Sequence, residues 1–217
     1  MPGSLVKKTT EYVRKKLYTD PCGQDWYHTQ RVWKIATQLQ ALEGGNLLLI
    51  ELAALLHDVG DYKHYDFNET KGSLALKATM DILEIEPDMQ RKVIASIEEA
   101  QFNGDDTQVP STIEGKIVQD AEWLDALGAI GIARTFAEGA SIGRIIHDPK
   151  RTARKKMSKH DYQKRKREGT SINHFYEKVL KLPNMMNTGS AKLIAERRAE
   201  FIRHFLDEFL LEWEGER

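Results

Sequence analysis

One stretch, Glu51 to His64 (ELAALLHDVGDYKH), constrains the fold of this 217-residue chain more than any other. Its first half is a run of Leu and Ala with almost no polar interruption, which predicts a helix buried on all sides. That helix ends in His57, which is followed directly by Asp58. Two ionisable side chains at the end of a buried helix are costly unless a partner satisfies them. Neutral imidazole and carboxylate both bind divalent metals, so the pair indicates either a metal site or a helix cap followed by a turn.

Composition excludes several classes of protein. Hydrophobic residues make up 41% of the chain and charged residues 30%, which is typical of a folded globular protein rather than a disordered one. The formal net charge of -1 gives no overall attraction to nucleic acid, so we expect nucleic acid to be an unlikely partner. A single cysteine, Cys22, excludes a disulfide framework or a thiolate zinc site within the chain. No apolar run reaches the roughly 20 residues that span a bilayer, and the start lacks a signal peptide, so we expect a cytoplasmic protein without membrane contact.

Apolar residues recur at helical spacing through most of the chain. No period-2 strand pattern of any length and no internal repeat is evident, so we predict an all-α fold. A capping-box pattern, formed by Ser111 and Glu114, predicts the start of a helix that runs on through Phe136. The predicted helices cover residues 4–17, 25–43, 46–58, 69–85, 87–101, 111–136 and 188–213.

Further metal-ligand types lie on predicted helices. His28 falls on the apolar stripe of the second helix and therefore points towards the core. Three carboxylates interrupt an otherwise apolar helix in QDAEWLDALGA, where they are expensive unless a positive charge meets them. These carboxylates are Asp120, Glu122 and Asp125. Two imidazoles and two carboxylates would suit one divalent ion of Mn, Fe, Ni, Mg or Zn and would leave positions open for water and substrate.

The helical wheel does not single out one of the three carboxylates. At about 100° per residue, the apolar stripe of the sixth predicted helix has Asp120 and Asp125 on its flanks and Glu122 further round. The stripe itself consists of Ile113, Ile117, Ala121, Leu124 and Gly128. The residues alone therefore leave the fourth ligand open among Asp120, Glu122 and Asp125.

The ordered set of a lone His, then His-Asp, then a late acidic residue resembles the HD-domain phosphohydrolases. The stretches DWYHTQRVWKIA, ELAALLHDVGDYK and EGKIVQDAEWLDALGAIGIARTF are similar to the small stand-alone members that act on nucleotides. The similarity covers nearly the whole chain, including HFYEKVLKLPNMMNT near its end. The resemblance implies an all-α HD-domain helical bundle with a central metal site.

The resemblance also implies metal ligands. His28, His57 and Asp58 match the first three ligands of the family, and Glu122 stands where the family has its fourth ligand, an Asp. Glu has the same charge but is one methylene longer. Because the register is direct, we assign Glu122 as the fourth ligand and give Asp120 a supporting role against the metal, its water or a ligand imidazole.

Other residues are candidates for proton transfer and for phosphate binding. Asp61 matches a family position that serves as the catalytic acid/base, and the alternative is a loop carboxylate at the helix end. Phosphate esters need positive charge beyond the metal, and the nearest sources are Lys63 and His64. We predict that both bind substrate and that Lys63 also takes part in catalysis. Arg134 and His174 are further substrate-binding candidates, although a surface arginine explains Arg134 as well.

The domain organisation follows from the same patterns. We expect residues 1–217 to form one HD-domain hydrolase, with the metal ligands in a core region at 26–127 and C-terminal helices at 171–217 packed on that core. Between Lys150 and Arg167, ten Lys or Arg accompany a single Asp, which predicts a flexible basic insertion at 148–170. This insertion could be a solvated loop, a flap that attracts anionic substrates, or a nucleic-acid contact.

These patterns predict a metal-dependent phosphohydrolase whose partner is a small nucleotide substrate. A (deoxy)nucleoside triphosphate pyrophosphohydrolase, with manganese as one of the possible metals, is the first reading. A 5'-nucleotidase that releases phosphate from a monophosphate is the second. A non-catalytic nucleotide- or nucleic-acid-binding module, inactivated by the substitution at Glu122, is the third. The chain could be a monomer or a homodimer, since the long terminal helix can pack on its own core or on another chain.

Overall fold

The structure, a computed structural model, describes residues 3–18, 23–61, 65, 68–164 and 168–216. Within these ranges the only β pairing is an isolated bridge between Ile145 and Thr170, so the predicted all-α class is confirmed. None of the described helices is both long enough and apolar enough to cross a membrane. The helices are α1 (Ser4–Lys16), α2 (Trp26–Glu43), α3 (Leu47–Leu56), α4 (Glu69–Ile82), α5 (Pro87–Ala100), α6 (Ile113–Asp125), α7 (Gly128–Ser141), α8 (Lys159–Lys164), α9 (Ser171–Glu177), α10 (Leu182–Met185) and α11 (Gly189–Trp213).

The chain divides into two compact units. Unit 1 comprises Met1–Gln101 and Val109–Glu122, and unit 2 comprises Phe102–Gln108 and Trp123–Arg217. Unit 1 contains α1 to α5 and most of α6, and unit 2 contains the helices from α7 onward. The domain ranges proposed from the sequence remain predictions.

The central helix of unit 1 is α3, which packs against α1, α2 and α5. Every residue from Leu49 to Leu56 is buried, as expected for a helix that is apolar on all sides. The Asn46 side chain caps its first turn by accepting a hydrogen bond of 3.1 Å from the Leu49 amide. Because α3 is enclosed by other helices, the residues that directly follow it are attached to a fixed part of the core.

The chain leaves α3 through a tight turn rather than through further α-helix. His57 still has helical dihedral angles, but the Val59 amide donates to the Leu56 carbonyl at 3.0 Å and the Asp61 amide donates to the Asp58 carbonyl at 3.2 Å. Such bonds between residues three apart belong to a 3-10-like turn. Asp61 therefore ends the tight turn that follows α3 and contains His57 and Asp58.

Unit 2 is built around α7, α9 and α11. Helix α7 packs against both α9 and α11, and α10 packs against α11. Ring centroids separated by 5.9 to 6.4 Å form an aromatic cluster in this core. Its members are Phe136, Phe175, Phe205 and Phe209.

The single helix predicted over 111–136 is two helices. Helix α6 ends at Asp125, and α7 begins at Gly128. Gly128 has a φ of +71°, a conformation that side chains with a Cβ rarely adopt. The apolar periodicity continues through Gly128, which is why the break is hidden in the sequence pattern.

The described part of the basic segment is held by specific contacts. Met157 is only 3% exposed, and its amide donates to a carboxylate oxygen of Asp105 at 2.7 Å. Arg154 donates to both carboxylate oxygens of Glu177, at 2.9 and 2.8 Å. Met157 and Arg154 thus supply anchors that the overall charge count conceals, and the flexible insertion at 148–170 remains a prediction.

Candidate metal centre

Helix α2 places His28 inside unit 1. The Asp25 side chain caps this helix by accepting a hydrogen bond of 2.9 Å from the His28 amide, which fixes the first turn. The His28 side chain is completely buried. Its imidazole is therefore directed into the unit, as the apolar stripe of α2 predicts.

The turn after α3 supplies His57 in a defined orientation. His57 Nδ1 lies 2.8 Å from the carbonyl oxygen of Ala54, so Nδ1 carries the hydrogen and donates to that carbonyl. In the neutral imidazole this leaves the lone pair on Nε2. A backbone carbonyl that holds one ring nitrogen in this way is the usual support of a metal-binding histidine.

Four side chains from three segments converge around the two Nε2 atoms. The Nε2 atoms of His28 and His57 are 3.1 Å apart. Asp58 Oδ2 lies 3.4 Å from His28 Nε2, and Asp58 Oδ1 lies 3.4 Å from His57 Nε2. Glu122 Oε2 lies 3.1 Å from His28 Nε2 and 3.2 Å from His57 Nε2. We call these four residues the HD cluster.

The HD cluster fits a divalent cation. His28, His57 and Asp58 each offer a ligand atom within 4.8 Å of the others. Atoms that share a cation at about 2.1 Å stand about 3.0 to 3.4 Å apart, which is the spacing observed in the cluster. Asp58 Oδ2 and Glu122 Oε2 are buried, and their nearest ionisable neighbours among the described residues are the two imidazoles. Electron-rich atoms packed this closely need a proton or a metal ion between them.

The pKa values of the cluster express the same need for positive charge. Burial lowers the pKa of the His57 imidazole, but the charge of Asp58 and the charge and hydrogen bond of Glu122 outweigh burial and raise that pKa to about 10. Burial raises the pKa of the Glu122 carboxyl, yet His28 and His57 outweigh burial and hold it well below its ordinary value. Both carboxylates thus favour a cationic partner, which can be a protonated imidazole or a metal ion.

The three candidate carboxylates of α6 occupy different surroundings. Glu122 Oε2 lies 3.1 and 3.2 Å from the two imidazole Nε2 atoms. Asp120, two residues earlier in α6, is completely buried. Asp125 belongs to unit 2 and accepts a hydrogen bond of 2.9 Å from Arg134 Nη1. The assignment of Glu122 as the fourth ligand and of Asp120 as its support stays a prediction.

The remaining candidates lie in different parts of the chain. Asp61 is half-buried at the end of the turn that begins with His57. Lys63 and His64 lie outside the described residues. In unit 2, Arg134 forms the ion pair with Asp125, and His174, which is 8% exposed, lines a small cavity of about 10 Å³. The roles proposed for these residues remain predictions.

Two residues that the sequence patterns did not single out, Gly60 and Tyr65, support the turn after α3. We call this turn, from His57 to Asp61, the ligand turn. A Cβ at Gly60 would lie 2.9 Å from Leu76 Cβ and 3.0 Å from the Gly72 carbonyl oxygen, so only glycine allows this close approach to α4. The Tyr65 hydroxyl donates a hydrogen bond of 2.9 Å to the Val59 carbonyl. The signals in the sequence were a glycine three residues after His57, which is Gly60, and an aromatic residue shortly after it, which is Tyr65.

Comparison with known proteins agrees with this arrangement. Residues 25–127, which include the whole HD cluster, match the family described as HD domain. The uncharacterized protein YpgQ of Bacillus subtilis (strain 168) is 32% identical over 200 residues, which cover 90% of this chain and 87% of YpgQ.

Solved structures share the fold over nearly the full length. A crystal structure from Lactobacillus plantarum has a TM-score of 0.89 and 36% identity, with 99% of each chain covered. An HD-superfamily hydrolase from Bacillus thuringiensis has a TM-score of 0.71 and 41% identity, with 96% of each chain covered. YpgQ crystallised in complex with ADP has a TM-score of 0.70 and 28% identity over the superposed residues, which cover 94% of this chain and 95% of YpgQ. With its HD cluster, its all-α fold and these full-length relatives, the chain belongs to the HD-domain superfamily.

Proposed function

We propose that this protein is a metal-dependent phosphohydrolase that acts on nucleotides and releases pyrophosphate from a (deoxy)nucleoside triphosphate. The observation that carries the proposal is the convergence of His28, His57, Asp58 and Glu122, with ligand atoms 3.1 to 3.4 Å apart and no protein cation from Lys or Arg among them. Such a cluster is costly as a purely structural feature, because buried carboxylates are usually paired with a permanently charged side chain such as Lys or Arg.

The relatives support both parts of the proposal. The Bacillus thuringiensis protein is described as a hydrolase, and it shares 41% of its residues with this chain. The Bacillus subtilis relative was crystallised with ADP, which is a nucleotide with a phosphoanhydride bond. A hydrolase fold and a nucleotide ligand in two relatives favour a nucleotide phosphate as the substrate here.

In the proposed mechanism, the HD cluster would hold one divalent cation. When bound, such a cation makes water a stronger acid and neutralises charge on phosphoryl oxygens. The Ala54 carbonyl orients His57, and the capped first turn of α2 orients His28, so both imidazoles are held in position before substrate binds. Manganese is the first metal to test, with Fe, Ni, Mg and Zn as alternatives.

Asp61 is the proposed proton-transfer residue. It follows the ligand pair in the same tight turn, with its amide donating to the Asp58 carbonyl at 3.2 Å. A half-buried carboxylate at this place would accept the proton of the attacking water and return it to the leaving oxygen. Asp120, which is buried two residues before Glu122, would support the cluster from α6.

Positive side chains would hold the phosphoryl oxygens of the substrate. Lys63 and His64, next in sequence after this turn, are the proposed contacts, with Lys63 stabilising the charge that develops as the bond breaks. Arg134 and His174 are the other proposed substrate-binding residues. Arg134 pairs with Asp125 through Nη1, while its buried Nε has no hydrogen-bond partner among the described residues and is still able to donate.

The first experiment is metal analysis of the purified protein together with a nucleotide panel assayed with added Mn²⁺. We expect about one metal per chain and release of pyrophosphate from triphosphates. Release of phosphate and a nucleoside would contradict the proposal and identify the protein as a nucleotidase. Absence of both metal and turnover with every cation would contradict it and favour a binding module.

Three variants test the assigned roles. Glu122→Gln keeps the size of the side chain and removes its charge, so we expect weaker metal binding, whereas Asp120→Asn should weaken it less. Asp61→Asn should keep the metal and lower kcat by about 100-fold or more, as expected for loss of a general base. If Asp120→Asn releases the metal and Glu122→Gln does not, the assignment of the fourth ligand is wrong.

A further inference from the structure

The first part of the basic segment, residues 150–160, is attached to unit 2 through its main chain. We call these residues the basic strip. The Met157 amide donates to the Asp105 carboxylate at 2.7 Å, and the Asp105 amide donates to the Met157 carbonyl at 2.8 Å. The Lys159 amide donates to the Asp106 carboxylate at 2.8 Å. Hydrogen bonds in both directions thus join the strip to one short turn of the same unit.

A glycine and a buried carboxylate complete the support of the strip. Gly104 has a φ of +65°, and a Cβ at this position would clash with the Met157 carbonyl oxygen. Only glycine therefore allows the strip to pack this closely on the turn. The Arg154 amide donates to Glu177 at 3.0 Å, and the same carboxylate accepts from the Arg154 guanidinium. The main chain of the strip is thus held in place independently of any ligand.

The cations of the strip differ in whether a carboxylate neutralises them. Arg154 pairs with Glu177 at 2.8 Å, and Arg151 lies 3.1 Å from Asp148. The four lysines of the strip are exposed and form no ion pair within the part of the chain that the structure describes. These lysines are Lys150, Lys155, Lys156 and Lys159. The strip therefore presents four positive charges to solvent from a fixed main chain.

The side chains of the strip fit the phosphate backbone of a nucleic acid duplex. Met157, its one large apolar residue, is 3% exposed, so the strip has no apolar anchor of the kind that protein interfaces and membrane surfaces require. It contains no Phe, Tyr or Trp, whereas proteins that bind single strands stack the bases on aromatic rings. Lysines neutralise the phosphates of a duplex without contacting its bases.

We propose that the basic strip is a docking surface for the phosphate backbone of double-stranded DNA, which it binds without regard to base sequence. Lys150 and Lys159 are nine residues apart, so the four lysines lie within about 30 Å, which is less than the roughly 34 Å of one turn of B-DNA. One face of a duplex can therefore meet all four. Duplex RNA is recognised across successive minor grooves and through its 2'-hydroxyls, which requires a larger surface than one strip.

The number of lysines sets the expected strength of binding. Four phosphate contacts give a slope of log K against log salt of about -3.6, so raising the salt concentration from about 50 to 200 mM should weaken binding roughly 150-fold. The formal net charge of -1 means that the rest of the chain adds no attraction. We therefore expect a dissociation constant of about 100 µM at physiological salt and a few micromolar at about 50 mM. The proposal does not depend on the function of the HD cluster.

The test is fluorescence anisotropy of the full chain with a labelled DNA duplex of about 20 base pairs, in low salt and in EDTA, which separates binding from metal chemistry. The triple variant Lys155→Gln, Lys156→Gln and Lys159→Gln removes three phosphate contacts. We expect its affinity to fall at least about tenfold and its salt slope to become shallower by about 1 for each lysine. Absence of duplex binding by the wild type at about 50 mM salt would overturn the proposal.

The matched control removes three exposed lysines from other parts of the chain: Lys7→Gln, Lys77→Gln and Lys192→Gln. It changes the net charge by the same amount and should keep the affinity within about threefold of wild type. Both triple variants alter exposed side chains, so both should unfold at the wild-type temperature. Equal loss of binding in the two triple variants would overturn the proposal, because the overall charge and not the strip would then attract the duplex.

Lysine acylation followed by mass spectrometry maps the contact on the wild-type chain. Bound duplex should slow the acylation of Lys155, Lys156 and Lys159 and leave Lys7 and Lys77 unchanged. Protection of the latter two lysines alone would overturn the proposal.

Competition experiments distinguish the duplex from other anionic partners. A single strand of the same length and vesicles of anionic lipid should each compete at least about tenfold less well than unlabelled duplex. A single strand or a vesicle that binds more tightly than the duplex would overturn the proposal and assign the strip to that partner.

Discussion

The two units bury carboxylates in opposite ways. In unit 2, Glu177 accepts hydrogen bonds from Nε and Nη2 of Arg154, and Asp125 accepts one from Arg134 at 2.9 Å. In unit 1, the bases beside Asp58 and Glu122 among the described residues are the imidazoles of His28 and His57. A guanidinium is a permanent cation, whereas an imidazole can be neutral and offer a lone pair.

This difference separates a structural ion pair from a ligand set. The carboxylates of unit 2 have their positive charge built into the chain, so a metal ion would have to displace an arginine to bind them. Those of the HD cluster share their surroundings with nitrogen lone pairs, so a metal ion satisfies all four groups at once. The kind of base beside a buried carboxylate thus distinguishes the two cases better than burial alone.

The largest expected effect is that of His57→Ala. Loss of this ligand should remove the metal from the purified protein and lower turnover more than about 100-fold, a loss that even support residues of a metal site can reach. Metal analysis and a nucleotide assay measure both quantities. His160→Ala, at an exposed position in α8, is the matched control and should change neither. Retention of metal and activity in His57→Ala would show that the carboxylates of unit 1 are not part of a metal-ligand set.

Breaking the ion pair of unit 2 should affect stability instead. Glu177 is 4% exposed, so Glu177→Gln leaves the Arg154 guanidinium without its charge partner and should cost about 3 kcal/mol of unfolding free energy in urea titrations. Glu84→Gln removes an exposed pair with Lys8 and should cost less than about 0.5 kcal/mol. A chelator should lower the melting temperature of wild type and of Glu177→Gln equally, because this pair contains no metal.

The same pair predicts a pH dependence. Burial raises the pKa of the Glu177 carboxyl, but hydrogen bonds and charge from Arg154 outweigh burial and hold that pKa below its ordinary value. A lowered native pKa gives stabilisation that is complete above the unfolded value of about 4.3 and is lost as the pH falls through the native value. Urea unfolding between about pH 6 and pH 3 should therefore lose less stability in Glu177→Gln than in wild type. Equal slopes would show that the pair contributes nothing through protonation.

Gly60→Ala should disturb the ligand turn of unit 1 by a smaller amount. The new Cβ would lie 2.9 Å from Leu76 Cβ and 3.0 Å from the Gly72 carbonyl oxygen, so the turn or α4 must shift at a cost of about 1 to 3 kcal/mol. We expect weaker metal binding together with lower stability. Gly3→Ala, where a Cβ meets nothing within 4 Å, is the control. Unchanged metal affinity in Gly60→Ala would show that the close approach to α4 does not position the ligands.

Tyr65→Phe should have the smallest effect. It removes the hydroxyl that donates to the Val59 carbonyl at 2.9 Å and should cost about 1 kcal/mol. Because the bond supports the turn that includes Asp58, we expect a modest rise in the metal dissociation constant, measured by competition with a chelator. An effect on stability without any effect on metal affinity would limit Tyr65 to a structural role.

The sequence allowed the fold class, the buried helix α3 and the inward position of His28 to be predicted, because each rests on apolar periodicity. The break between α6 and α7 at Gly128 could not be predicted, because the apolar stripe continues through it. The φ of +71° at Gly128, which marks the break, is visible only in the structure. The wheel could not choose among the carboxylates of α6, because the length of the Glu122 side chain lets it reach the imidazoles from off the stripe. The anchors of the basic segment escaped as well, since Arg154 and Met157 find their partners, Glu177 and Asp105, far away in sequence.

The burial of α3 on all sides has a consequence for how the HD cluster fluctuates. Amides of a helix enclosed by its neighbours exchange with solvent mainly when the whole unit opens, whereas exposed segments open locally at little cost. His57 and Asp58 directly follow such a helix, so their backbone positions vary little on the timescales of ligand exchange. A cation would therefore bind donors that are already in position. The protein would lose little conformational entropy on binding, which favours a higher affinity.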